Sequence, residues 1–532
     1  MIRLLLKMIQ FGRKLNGTMD PSPLASPLQA ELSPKLGHNL ERLKQVLGPS
    51  NDIVLREFSF GQGGKLQGAI LYVEGLTNKF LINESLVKPL MYGSRMFESK
   101  LETATLEAVK SGMISLGSVE EATTLESVVD ACLSGDTVLM IQGFREALVL
   151  NTKGWEERGV EEPKTESVVR GPREGFTETL RINTSLLRRK IKNPTLTLEP
   201  LKIGRKTKSD VCLVYLKGVV NPRLVEEIRR RLNRIDTDAI MESGYIEQLI
   251  EDAPHSIFST VANSEKPDVV SAKILEGRAA ILVDGTPFVL TVPMLFIESF
   301  QSAEDYYSRP YFASMIRMLR FGCYGISILA PATYVALTTF HQELIPTPLL
   351  FTLASSREGV PFPAVLEALV MLVAFEILRE AGIRLPRPVG SAISIVGALI
   401  IGESAVAAGL IGAPMVIVVA LTAVSSFVVP AQTDSVSILR YFFLFLAGVM
   451  GGFGVAVGML GLFIHLSGLR SFGTPYLSPV APLSIHDQKD VLVRAPLWAM
   501  LTRPRTIGWR DPERQQFRLE PAPPTNEREG PT

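Results

Sequence analysis

Apolar and polar positions are arranged in two different ways along this chain. Up to about residue 316, short apolar runs alternate with charged stretches. These predict short strands, such as Ala69–Val73 and Ala279–Val283, with helices between them, such as Arg223–Leu232. Beyond residue 320 the apolar runs lengthen and lose their charges. Residues 321–342, 404–433 and 441–469 carry no formal charge at all. A bilayer core demands about 20 apolar residues per helical crossing, so these runs predict an all-α multi-pass transmembrane domain. A buried soluble core would explain one such run, but not three in close succession. Candidate membrane helices fall at about 321–340, 364–382, 391–411, 413–431 and 440–467.

The soluble region carries an internal echo. The strand Ala69–Val73 runs into Glu74-Gly75, and the strand Val211–Leu216 runs into Lys217-Gly218. Thr137–Ile141, Gln142-Gly143 and Ala147–Leu150 are matched by Ala279–Val283, Asp284-Gly285 and Phe288–Leu290. Gly75 recurs as Gly218 and Gly143 as Gly285, at offsets that differ by a single position, and each later pair reads as a β-hairpin. The expected fold is therefore two tandem, similar α/β subdomains followed by the membrane helices. The expected boundaries are a basic N-terminal segment (1–38), subdomain 1 (39–165), subdomain 2 (166–316), a transmembrane domain of four or five helices (317–470) and a cytoplasmic tail (471–532).

Composition sharpens this partition. The mean hydropathy of +0.22 and the charged fraction of 20% are averages over unlike parts. Residues 1–320 hold 81 charged residues, 321–470 only 13, and the last 62 hold 15. A net charge of +1 excludes a nucleic-acid footprint carried by bulk charge. Three cysteines, Cys132, Cys212 and Cys323, lie too far apart in sequence for a disulfide framework or a structural zinc site. There is no phosphate loop, HExxH, GxSxG or strand-placed GxGxxG, so neither an enzyme nor a cofactor is expected. Asp284 reads as a hairpin-turn residue. The basic stretch Arg181–Lys192 reads as a solvated helix face or a domain contact, or else as a phosphate or partner site. Residues 1–15 do not read as a signal peptide, so the leading domain is expected in the cytoplasm.

Specific words then become recognisable: RGPREGF from Arg170, LEGRAAILVDGTPFVLTVP from Leu275 and SAEDYY from Ser302. They continue with TFHQELIPTPLL from Thr339, FEILREAGIRLP from Phe375, SIVGALIIG from Ser394 and HLSGLRSFGTPYLSP from His465. Over residues 40–483 the chain resembles the A subunits of spore germinant receptors, the GerA family; residues 1–38 and 484–532 carry no motif of it. The resemblance implies a multi-pass protein of the inner spore membrane with its N-terminal domain in the cytoplasm. It implies a multi-helix B subunit that binds the nutrient and a lipoprotein C subunit as partners. It also implies a homo-oligomer, a pentamer, forming a nutrient-gated channel for monovalent cations that triggers germination. A secondary transporter or permease component, or a non-conducting scaffold, are the alternative readings.

Within the membrane half, three ionisable residues stand out: Glu367, Glu376 and Glu403. Intramembrane charge is expensive and faces protein or water. Glu367 lies near a helix start, and Glu376 is placed to pair with Arg379 one turn on. Glu403 lies in IIGESAVAAG, where a ring of carboxylates or a single protonated, bonded Glu are both consistent. Segment 390–412 is the pore candidate, with Val396, Leu399, Glu403 and Val406 as its lining or gate. Gly448/Gly452 and Gly454/Gly458 are i, i+4 pairs that let helix backbones approach. Clusters at Arg309/Arg317/Arg320, at Arg379/Arg384/Arg387 and in the tail all belong in the cytoplasm by the positive-inside rule. Five crossings cannot satisfy that rule. Either one segment does not cross, or the last folds back at Gly451-Gly452.

Overall fold

The computed structural model describes residues 30–60, 66–92, 106–112, 114–116, 118–154, 163, 166, 168–384, 402–507 and 513–515. The chain divides into two compact units. One comprises residues 1–251, 261–293 and 496–532; the other comprises 252–260 and 294–495.

The first unit is built from a duplicated five-stranded antiparallel sheet. In the first copy, helix α1 (Leu36–Leu47) precedes β1 (Ile53–Phe60) and β2 (Leu66–Val73). Then follow β3 (Val119–Ala122), α2 (Leu125–Leu133), β4 (Thr137–Ile141) and β5 (Ala147–Leu150), in the order β1-β2-β4-β5-β3. The second copy runs α3 (Leu180–Lys190), β6 (Leu196–Ile203), β7 (Ser209–Leu216), α4 (Pro222–Arg234), β8 (Ala262–Ser264), α5 (Pro267–Leu275), β9 (Ala279–Val283) and β10 (Val289–Val292). Its order, β6-β7-β9-β10-β8, is the same.

Burial explains why the inner strands read as unbroken apolar runs. β4 and β9 are buried at every position. In the first sheet, Leu71 and Val138 pack with Leu40, Leu43 and Val128 of α1 and α2 on one face. Ile70, Leu139 and Leu148 pack with Leu86 and Leu90 on the other. A strand covered on both faces loses the alternation that a half-exposed strand shows. Cys132 lies in the first of these cores and Cys212 in the core of the second sheet, and burial pushes both thiols up to about 12, which keeps them protonated and inert.

The echo extends to individual hydrogen bonds. Gly75, Gly143, Gly218 and Gly285 all have φ between 87° and 97°. The side chain of Gln142, in the β4–β5 turn, accepts from the first N–H of α1 at 2.7 Å, and Asp284 does the same for α3 at 2.9 Å. The neighbouring Gly143 and Gly285 donate to the carbonyls of Pro34 and Glu178. Asn39 brackets Ser33 through its side-chain oxygen and nitrogen, as Asn183 brackets Thr177. Neither helix has a cap from its own N-cap side chain. The hairpin turn of each copy therefore supplies the acceptor that a free helix end needs.

The second unit is helical. α6 (Pro310–Thr339) leads to α7 (Thr347–Arg357), α8 (Ala364–Arg384), α9 (Ala413–Ser426) and α10 (Thr433–Gly468). α6 and the stretch Pro430–Gly468 are long and apolar enough to cross a membrane. α10 is broken at Gly451, where φ is 60° and ψ is −142°. A Cβ placed on Gly458 would lie 2.7 Å from Leu446 Cδ1 and 2.8 Å from Phe443 Cε1. In a straight helix, residues 443 and 458 would stand about 22 Å apart. The chain therefore reverses at Gly451, and α10 is a helical hairpin with arms 433–450 and 452–468.

Candidate functional site

Among the described residues of the helical unit, three ion-pair clusters and one hairpin tip stand out. The first cluster lies at the leading end of α6. Arg317, fully buried, donates from Nε and Nη2 to Asp305 Oδ2 at 3.2 and 3.1 Å. Its Nη1 donates to the carbonyl and Oδ1 of Asp490 at 2.7 and 2.8 Å. Arg320 adds bonds of 2.8 Å to both oxygens of Asp305. Tyr306 donates to Asp490 at 2.7 Å, and its ring faces the guanidinium groups of Arg317 and Arg494 at 5.8 and 5.5 Å. Asp305 and Tyr306 belong to the SAEDYY word. The two carboxylates come from before α6 and from beyond residue 484, so the cluster clasps the post-helical chain to α6.

The second cluster surrounds Glu367, which is 1% exposed. In the first turn of α8, it takes 3.1 and 3.3 Å contacts from Arg357 at the end of α7. Its other oxygen accepts the N–H of Gly412, the N-cap of α9, at 3.1 Å. One carboxylate thus satisfies a cation and an orphan helix-end donor together.

The third cluster surrounds Glu376 on α8. Arg379 reaches it at 2.6 Å across one turn, Ser437 donates at 3.2 Å, and Arg440 stands at 3.5 Å. Arg440 is fully buried on the first arm of the hairpin, and its Nε donates to Ser327 O on α6 at 2.9 Å. Its Nη2 has no hydrogen-bond partner among the described residues. Two cations face one carboxylate here, one of them, Arg440, taken wholly out of water.

At the hairpin tip, Gly451 lies against Phe340: a Cβ there would stand 2.7 Å from Phe340 Cβ. His341 Nε2 accepts the N–H of Gly452 at 3.1 Å. Phe340 and His341 belong to the TFHQELIPTPLL word, so that word closes over the reversal. The other glycines singled out in the sequence are also tight. Gly448 faces Val365 of α8, and Gly454 faces Leu446 of the opposite arm.

Of the pore candidates, Val396 and Leu399 lie outside the described residues. Glu403 and Val406 sit on a helical turn, residues 402–407. Glu403 is exposed and without an ion pair among the described residues; Val406 is half-buried. Among the described residues there is no cluster of His, Cys, Asp and Glu able to hold a metal ion. Sequence reasoning missed three participants. Arg188, within the basic stretch 181–192, is fully buried against Asp52 in a bidentate pair of 2.8 and 2.9 Å, with Ser50 on the same guanidinium. It joins the two sheet copies. Arg357 and Arg440 are the others, each paired with a carboxylate on a different helix.

These features define a class: a duplicated α/β sheet module joined to an apolar helical unit that buries ion pairs. The chain belongs to the GerA family. The profile described as Bacillus/Clostridium GerA spore germination protein matches residues 41–506, which carries the family past residue 483 into the segment holding Asp490 and Arg494. The chain is 47% identical to spore germination protein KA of Bacillus subtilis, covering 92% of this chain and 90% of that one. It is 39% identical to spore germination protein GerLA of Bacillus cereus, over 90% and 97%. The crystal structure of the N-terminal domain of the A subunit of the Bacillus megaterium spore germinant receptor GerK3 aligns with 38% identity and a TM-score of 0.40, covering 50% of this chain and 98% of that one.

Proposed function

We propose that this chain is the A subunit of a nutrient germinant receptor. Copies of it would assemble in the inner spore membrane around a path for monovalent cations, which opens when a nutrient-binding partner subunit is occupied. One observation carries the membrane reading: the helical unit exposes large apolar side chains while it buries charged ones. Arg440, Arg317 and Glu367 are buried, whereas Val449, Phe453, Leu460 and Phe463 on α10 are exposed. Apolar side chains outside and paired charges inside suit lipid. The receptor reading is supported by family membership and by the naming of relatives as spore germination proteins.

The hairpin supports a particular topology. Its arms, 433–450 and 452–468, are about 27 and about 25 Å long at the helical rise, close to the apolar thickness of a bilayer. Counting the arms separately turns five crossings into six. Both soluble portions then face the cytoplasm, as the arginine clusters require. The Glu376 cluster falls at the cytoplasmic end, and the Glu367 cluster and hairpin tip at the outer end. Each cluster unites residues that this topology assigns to one end.

The conducting path is assigned to segment 390–412, with Val396, Leu399, Glu403 and Val406 facing it. Glu403, exposed and without an ion pair among the described residues, is suited to a shared carboxylate ring that attracts cations. Spores carrying Val396→Ala or Val406→Ala are expected to germinate without nutrient. If both variants keep nutrient dependence and assemble normally, this segment is not the gate.

A further inference from the structure

Residues 471–485 form an uncharged run beyond the second arm of the hairpin, too short to cross a bilayer as a helix. In the structure its end, residues 479–485, is a compact turn that exposes its apolar side chains. Val480 is 48% exposed, Leu483 70% and Ile485 68%.

The backbone of this turn is satisfied in part from within. Pro479 and Pro482 have no N–H. Val480 and Ala481 donate to Leu477 O at 2.9 and 3.1 Å, and Ser484 donates to Pro479 O at 2.9 Å. The N–H groups of Leu483 and Ile485 have no acceptor among the described residues, so the backbone of the turn belongs at the hydrated headgroup level, with only its side chains reaching the acyl chains.

The turn is also held in one place. Gln488 donates to Pro479 O at 2.8 Å, Asp490 is bound by Arg317, and the Arg494 N–H donates to Ser314 Oγ at 3.0 Å. Arg317 and Ser314 are on the leading turns of α6, shortly before its uncharged stretch begins at Phe321. Those turns expose Tyr311, Phe312 and Met315 as well. An uncharged apolar turn and an aromatic-rich helix end, linked through the bonds of Asp490 and Arg494 to the start of α6, match the chemistry of the headgroup–acyl boundary.

We infer that the turn 479–485 is a lipid anchor, inserting Val480, Leu483 and Ile485 among the acyl chains at the cytoplasmic face of the bilayer. The inference rests on the membrane reading of α10 proposed above. The anchor would fix the chain beyond the hairpin relative to the bilayer, with the Arg317 clasp joining it to α6.

The test uses the full chain with Cys323→Ser, Cys132 and Cys212 being buried. It is reconstituted in nanodiscs of phosphatidylethanolamine and phosphatidylglycerol and spin-labelled at Leu483→Cys or Ile485→Cys. Leu460→Cys, on the exposed face of the second arm, serves as a reference. Oxygen is expected to relax the labels at 483 and 485 several-fold more than a water-soluble nickel chelate does, as at 460. A label at 483 and 485 that favours nickel, with 460 still favouring oxygen, would overturn the anchor alone. Protection from both reagents would overturn it too, because it would mean a protein surface covers the turn. A reference label that favours nickel would bring down the membrane reading, and the anchor with it.

Discussion

Arg188 sets the residue scale. Its partner Asp52 lies in the other copy of the fold, both are buried, and the contact joins the two copies. Truncating Arg188 to alanine strands a buried carboxylate, which costs about 3–5 kcal/mol. Denaturant unfolding of the full chain in detergent is expected to register a loss of that order for Arg188→Ala. Part of it should return in the double variant with Asp52→Ala, because the stranded charge is then removed. Loss in the double variant equal to the sum of the singles would deny the pairing. The surface pair Glu199–Arg229, at 2.7 and 2.9 Å, behaves differently. The hydrogen bond from Arg229 holds the Glu199 carboxyl below its ordinary range. The sign follows from that depression: the pair stabilises the fold above the unfolded carboxylate's pKa. That support fades as pH falls through the lower, folded pKa. Both groups are substantially solvated, so Glu199→Gln is expected to cost only about 0.5 kcal/mol at neutral pH, and nothing measurable once acid has protonated the carboxyl. At this scale the sequence spoke through local pairs. Glu376 with Arg379 was legible because one helical turn joins them. Arg357 and Arg440 were not, since their carboxylates come from other helices and no spacing rule reaches that far.

The hairpin of α10 is the decisive element. Gly451 adopts a backbone conformation that a side chain resists, and a Cβ would also press on Phe340. A cysteine pair at Leu446→Cys and Gly458→Cys is expected to cross-link readily in membranes, since these positions face each other across the reversal. A straight helix would hold them about 18 Å apart and prevent it. Gly451→Val is expected to abolish that cross-link or reduce the yield of folded protein, read by the cross-linked fraction and by gel filtration. The reversal was legible as one of two ways to settle the count of crossings. What the sequence lacked was the tip itself: Phe340 and His341 lie far earlier in the chain. A similar limit applies to Asp284. Its place in a hairpin turn was clear from Asp-Gly, but its capping of α3 depends on how the copy folds back on itself.

For the whole molecule, the duplicated sheet was readable because glycine turns recur at nearly constant offset, and turn geometry tolerates little else at those positions. The long apolar helices were readable because bilayer limits on length and charge single out extended uncharged runs, and α6 and α10 form over two of them. The charged interior was only partly readable, because those same rules say which charges are costly without saying what neutralises them. The function proposed for the whole molecule is a nutrient-gated path for cations. The account therefore stands or falls on conduction. The most direct measurement is single-channel recording of the purified receptor complex in a planar bilayer, with and without nutrient. Discrete, cation-selective openings that require nutrient, and that lose cation selectivity in Glu403→Gln, are the predicted result. Nutrient-coupled flux without unitary openings, or no ion movement at all from an intact complex, would contradict it.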